Sequence, residues 1–217
     1  MPDSVLPEEE RTQQDDRPDR AFYREPRLVQ HVDAQFRERL TELYHQHLGA
    51  GDDVLDLMSS WVSHLPDDLD LGRVAGHGMN EEELATNERL TEYFVQDLNA
   101  KHTLPLEEAT FDAVLCAVSV QYLQRPERVF AEVARVLRPA GVFVVSFSNR
   151  MFAQKAIRAW RTASGSGRLG LVEQYFAAVE DFRAPTTVSE SPLVPPTQRF
   201  LGGPPDPFYA AYARTRK

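Results

Sequence analysis

Apolar residues recur along this chain in two rhythms, one of three to four residues and one of nearly unbroken short runs, and the two alternate. From Asp33 to Leu48, Phe36, Leu40, Leu43, Tyr44 and His47 return at helical steps, and Gly49 and Gly51 end the pattern. Val54, Leu55 and Leu57 then make a short strand with one acid, Asp56, among them, and a short helix is expected after it. A second strand over residues 72–76 leads into His77-Gly78-Met79-Asn80. Asn80 has the chemistry of a helix cap for the segment starting at Glu81, where three acids suit the positive end of the helix dipole. A third strand, residues 92–96, ends in Asp97-Leu98-Asn99, and a fourth, residues 111–118, is apolar enough to be buried on both faces.

The second half continues the alternation. Pro126 suits the first turn of a helix reaching Leu137, and Pro139 with Gly141 turns the chain into a fifth apolar strand, residues 142–147. A helix from Ser148 carrying Trp160, a small linker at residues 164–167 and another helix over residues 169–179 follow. Segments 184–189 and 208–213 then read as two strands able to pair antiparallel at a sheet edge, joined by a Pro-rich loop, residues 191–207. Strands alternating with helices and closing on a strand pair predict a doubly wound α/β sheet, parallel in the main.

Composition narrows this picture. Residues 1–20 are rich in charge and poor in apolar side chains and are expected to be a disordered acidic tail. The remainder, 21–217, is short enough for a single domain, with an N-terminal lid and helix over 21–50. With 24 basic against 33 acidic residues the net charge is −9, which disfavours nucleic acid as a partner. The single cysteine, Cys116, allows no internal disulfide, and no run approaches a membrane span or a secretory leader, so a reduced cytoplasmic setting is expected. His64 and His77 lack a third ligand at sensible spacing, so no metal site is expected.

One long run is distinctive: Phe111-Asp112-Ala113-Val114, then Ser119, Tyr122-Leu123 and Pro126, then Glu132 through Arg135-Val136-Leu137-Arg138-Pro139-Ala140-Gly141. It resembles the class I S-adenosylmethionine-dependent methyltransferases of the small-molecule, type 11 kind. The residues 56–66 and 76–80 resemble a divergent subgroup in which Asp-Leu-Met-Ser-Ser-Trp stands for the Gly-rich first motif. The resemblance implies a Rossmann-like three-layer sandwich with a seven-stranded sheet ordered 3-2-1-4-5-7-6, strand 7 antiparallel. It also implies S-adenosylmethionine as cofactor, S-adenosylhomocysteine as product, and methyl transfer to a small-molecule acceptor.

Carried onto this chain, the resemblance implies a cofactor site at Asp56, Met58, Ser59, Ser60, Gly78, Met79, Asn80, Asp97, Leu98, Asn99, Val118 and Ser119. Two departures stand out. Met58, Ser59, Ser60 and Trp61 occupy the usual glycine turn, and Gly78 stands where an acid usually meets the ribose. Ser59, Ser60 and Ser63 suit either ligand contacts or capping, and Asn80 suits either an amide bond to the cofactor or the cap. Substrate contacts are expected from Tyr23, Arg27, Trp61, His64, Asn149 and Arg150, with Arg150 suited to an acidic substrate. His31 or Tyr122 would assist an acceptor that must lose a proton. The competing readings are the same fold with a repurposed site for other small-molecule chemistry, and a protein-interaction module using the Pro-rich loop.

Overall fold

The computed structural model describes residues 4–191 and 205–216. Seven strands form one sheet in the order β3-β2-β1-β4-β5-β7-β6: β1 Val54–Leu57, β2 Val74–Gly78, β3 Glu92–Val95, β4 Phe111–Ala117, β5 Leu137–Phe147, β6 Thr186–Glu190 and β7 Phe208–Arg214. The pairs β1 to β2, β1 to β4, β2 to β3 and β4 to β5 are parallel, whereas β7 runs antiparallel to both β5 and β6. The expected order and the antiparallel strand are both present.

Period-two alternation sends each central strand's side chains to two different cores. Leu55, Leu57, Val114, Cys116, Phe143, Val145 and Phe147 pack with Val129, Phe130, Val133 and Val136 of α4 (Pro126–Val136) and with Val172, Tyr175 and Phe176 of α6 (Gly165–Ala177). Val54, Ala113, Leu115, Val142 and Val144 face Phe36, Leu40, Leu43 and Tyr44 of α2 (Ala34–His47). Asp33 caps α2 by accepting from the Phe36 N–H, and Asn80 caps α3 (Glu81–Thr86) by accepting from Glu83.

Several local expectations give way. No helix follows β1: residues 58–73 form an extended loop, because Ser59, Ser60 and Ser63 bond carboxylates instead of capping backbone. The helix carrying Trp160 does not begin at Ser148; a short helix, Arg158–Thr162, holds it. Residues 164–167 are not a linker, since Ser164 caps α6 by accepting from Gly167. The turn expected at residues 139–141 lies inside β5 as a register shift, with Ala140 at φ 61°. Most of the Pro-rich 191–207 segment lies outside the described residues.

The N-terminal segment departs furthest from expectation. Residues 4–20 are packed against the domain rather than disordered. Arg11, 3% exposed, donates to the Leu6 and Gln124 carbonyls and pairs with buried Glu127 at 3.0 Å. Lys155, fully buried, donates to the Asp15 and Arg17 carbonyls and pairs with Asp19 at 3.0 Å. Long-range partners for a few charges, invisible in local composition, hold the segment in place. Among the described residues no helix is long and apolar enough to cross a membrane.

Candidate active site

The C-terminal ends of β1, β2, β3 and β4 open into one cavity of about 320 Å³, roofed by residues 19–32 and by Arg150, Met151 and Phe152 after β5. This is the crevice where an open α/β sheet reverses its winding direction, between β1 and β4. Every candidate site residue except Asn149 lines it; Asn149 is exposed and lies outside the lining.

The cavity floor is cross-braced. His77, 1% exposed, accepts from the Met58 N–H through Nδ1 (3.1 Å) and bonds the Gln96 carbonyl through Nε2 (3.0 Å). Those partners fix the neutral tautomer with the proton on Nε2, and burial pushes the pKa down to about 4. One ring thereby ties the ends of β1, β2 and β3 together. The Ser119 hydroxyl lies 3.1 Å from the Met58 carbonyl and 2.5 Å from that of Ala117, joining the β4 end to the same turn. Met58 and Val118 both adopt left-handed backbone, at φ 59° and 52°. The Ser59 carbonyl sits where a Cβ on Gly78 would lie, 2.7 Å from it, which explains glycine at position 78.

Several polar groups expected to meet a cofactor are already engaged. Asp56 Oδ2 accepts from Ser59 (2.6 Å) and from Ser63, and burial pushes this carboxyl up to about 6 against those two bonds. The Ser60 hydroxyl donates to Glu83 Oε2 at 2.6 Å. Asn80 spends its oxygen on the helix cap and both amide hydrogens on the Tyr23 and Arg24 carbonyls, 3.0 Å each, so it ties down the lid instead of replacing a ribose acid. Asn99 holds Asp19, the Tyr122 carbonyl and the Gln124 N–H. Asp97 Oδ1 accepts from the Asn99 and Ala100 N–H groups, while Oδ2 is not engaged among the described residues.

Glu83 stands in the sequence only as one of three acids suited to the start of α3. It lines the cavity and accepts from the Arg27 N–H (2.7 Å) as well as from Ser60. The spacing Asn80-x-x-Glu83 was the available signal, because an acid at this position reaches back past the helix start rather than out to solvent, and here it meets Ser60 and the Arg27 N–H. Phe152, Asp19 and the bracing role of His77 carried no local signal.

On the β4 and β5 side the wall is aromatic. The Tyr122 and Phe152 rings stack at 6.0 Å, Tyr23 lies edge-on to Tyr122 at 6.4 Å, and Phe22 and His31 each meet Phe152 at 5.4 Å. Burial raises the Tyr122 pKa and its oxygen accepts from the Phe152 N–H at 2.9 Å, so this phenol stays protonated and does not serve as a base. Desolvation at the mouth lowers the His31 pKa, which leaves a neutral imidazole at pH 7. His64 is likewise neutral, pushed down to about 4 by burial. Trp61 donates to the Val29 carbonyl at 3.1 Å, and Arg150 pairs with Asp206 at 2.7 Å.

Residues 60–145 match the family model described as a methyltransferase domain. Solved structures share the fold at low identity. A chain of the complex between the Haloferax volcanii Trm112 methyltransferase activator and a methyltransferase is 16% identical, covering 84% of this chain and 91% of that one, with a TM-score of 0.62. The cyclase SpnF is 17% identical over 82% and 80% of the two chains, TM-score 0.57. An S-adenosylmethionine-dependent methyltransferase of Thermotoga maritima is 16% identical over 84% and 90%, TM-score 0.56.

Proposed function

Taking as premise that residues 60–145 are a methyltransferase domain within a class I S-adenosylmethionine-dependent methyltransferase fold, we propose that this protein methylates a small-molecule acceptor held beneath the residue 19–32 lid. The observation that carries the reading is the single cavity over the β1–β4 ends, which has an acid at the end of β1 and another just past β3, and an aromatic wall opposite.

The residues present fit the cofactor. Asp97 keeps one carboxylate oxygen that would take a polar edge or hydroxyl of the cofactor, and the braced turn at Met58 would hold its amino-acid part. Asp56, raised to about 6, and Glu83 supply negative potential for a cationic group. When bound, S-adenosylmethionine supplies an electrophilic methyl on a sulfonium that is its own leaving group. The chain's task is then alignment and exclusion of water, since proximity and orientation carry much of such a rate. The lid does this through Asn80, which holds the Tyr23 and Arg24 carbonyls, and through the aromatic cluster that seals the β5 side. For an acceptor that must lose a proton, the neutral His31 imidazole at the mouth takes it.

Isothermal titration with S-adenosylmethionine and S-adenosylhomocysteine tests the proposal. Asp97→Asn keeps the oxygen that closes its own turn but loses the charge, and is expected to weaken both ligands about tenfold. No binding of either ligand at millimolar concentration refutes it. One observation favours the second reading, the same fold with a repurposed site: the serine hydroxyls and Asn80 are spent on internal bonds. SpnF, a cyclase by description, has a related fold.

A further inference from the structure

Among the described residues, one cation lining the cavity has no carboxylate partner. Arg150, the residue expected to meet an acidic substrate, is neutralised by Asp206. The acids lining the cavity are engaged by the chain's own donors: Asp19 by Lys155, Asp56 by Ser59 and Ser63, Glu83 by Ser60 and the Arg27 N–H, and Asp97 by its own turn. The Arg27 guanidinium has no carboxylate within salt-bridge distance among the described residues. It makes a single hydrogen bond, Nη2 to the Phe22 carbonyl at 2.8 Å, leaving Nε and Nη1 unengaged among those residues.

Its surroundings sharpen that charge. The guanidinium carbon lies 4.6 Å from the Phe22 ring centre, 5.2 Å from Phe152 and 5.8 Å from Tyr23. Aromatic faces hold a cation in place while removing the water that would screen it. The main chain of Arg27 is tied to Glu83 on the β2 side, yet its head group lies over Phe152, which follows β5. The charge therefore sits toward the acceptor wall, away from the braced turn after β1. One guanidinium with a free edge matches a carboxylate; a phosphate dianion calls for more donors than this wall carries.

We propose that Arg27 selects the acceptor: the small molecule that enters this site bears a carboxylate, bound by the free edge of the Arg27 guanidinium, on an aromatic or otherwise flat apolar body packed against Tyr23, Tyr122 and Phe152. The proposal deepens the methyltransferase reading and rests on it for the word acceptor, but its test is independent of cofactor binding.

The probes are 4-hydroxyphenylacetate and its uncharged analogue 4-hydroxyphenylacetamide, titrated by ligand-observed NMR into the full chain, alone and with S-adenosylhomocysteine. The wild-type protein is expected to bind the acid about tenfold more tightly than the amide, in line with a charge-assisted bond in a partly buried site. Arg27→Met, which keeps an apolar stem over the rings, levels the two probes, and Arg27→Lys retains part of the preference. Affinity for S-adenosylhomocysteine stays unchanged in both variants. Equal binding of acid and amide by the wild type overturns the proposal, as does a preference that survives in Arg27→Met. A fall in S-adenosylhomocysteine affinity with the probe preference intact overturns it too, by assigning the guanidinium to the cofactor. Failure of the wild type to bind S-adenosylhomocysteine refutes the proposed function alone, and the acid–amide comparison still decides this inference.

Discussion

His77→Gln should remove one sizeable part of this fold's sensitivity to mild acid, and the size of the effect follows from the ring's position. The imidazole is buried and neutral, with a folded pKa of about 4 against 6.5 for a free histidine. The unfolded chain therefore binds the proton more readily, and the ring's contribution is complete above pH 6.5 and lost as the pH falls from 6.5 toward 4. Between pH 7.5 and pH 5 that loss is roughly 2 kcal/mol, a sizeable part of a typical stability of about 5–15 kcal/mol. Glutamine keeps a donor for the Gln96 carbonyl at the Nε2 position, but its oxygen sits on the same terminal carbon and leaves the Nδ1 position empty, so the Met58 N–H loses its acceptor. At pH 7.5 the variant should be less stable by about 1–3 kcal/mol, the cost of a buried unpaired donor. The assay is urea unfolding of both proteins at the two pH values. Asp56 and His64 titrate in the same range: Asp56, raised to about 6, pulls the other way, losing stabilisation as pH rises from 3.8 to 6. Their contributions are common to both proteins and cancel in the difference, so the variant should lose roughly 2 kcal/mol less on acidification. An identical acid dependence in wild type and His77→Gln refutes the bracing role.

Two more substitutions probe how the lid and the N-terminal segment are held. Asn80→Ala removes the cap of α3 and releases the Tyr23 and Arg24 carbonyls; stability should fall by about 1–2 kcal/mol, and limited proteolysis should cut near residues 23–28 several-fold faster than in wild type. Lys155→Met leaves the buried Asp19 carboxylate without its cation and should cost about 3 kcal/mol or more in a urea melt. Adding Asp19→Asn should recover part of that loss, because the residual penalty is the stranded charge rather than the missing contact.

The sheet was legible because its information is local and redundant. Strand β4 declares itself by seven residues of which Asp112 alone is charged, and β5 by a run from Val142 to Phe147 in which Ser146 alone is polar. A periodic apolar stripe on α4 needs no knowledge of its partners to be read as one face of a core. Residues 4–20 fail the same test for the opposite reason. Their order rests on Arg11 reaching Glu127 and on Lys155 reaching back to Asp15, Arg17 and Asp19, contacts separated by more than a hundred positions. Composition averages such residues into a solvated tail, because it cannot see that each charge has one distant partner.

The turn after β1 shows the same limit at the site itself. A glycine-rich motif is read by residue identity, but what the fold requires there is a backbone state. Met58 adopts it at φ 59°, a conformation that costs an L-residue roughly 1–2 kcal/mol. The structure offsets that cost at both ends of the same residue: His77 takes its N–H, a bond worth about 0.5–1.5 kcal/mol, and the Ser119 hydroxyl, whose one hydrogen is shared with the Ala117 carbonyl, lies 3.1 Å from its carbonyl. The serines that follow Met58 point away from it, toward Asp56 and Glu83, and hold those acids in the cavity wall. Met58 therefore holds its left-handed backbone without a glycine's conformational freedom, because His77 and Ser119 bracket it. Residue identity at 58–61 does not show this constraint, because two side chains from neighbouring strand ends, His77 and Ser119, carry it.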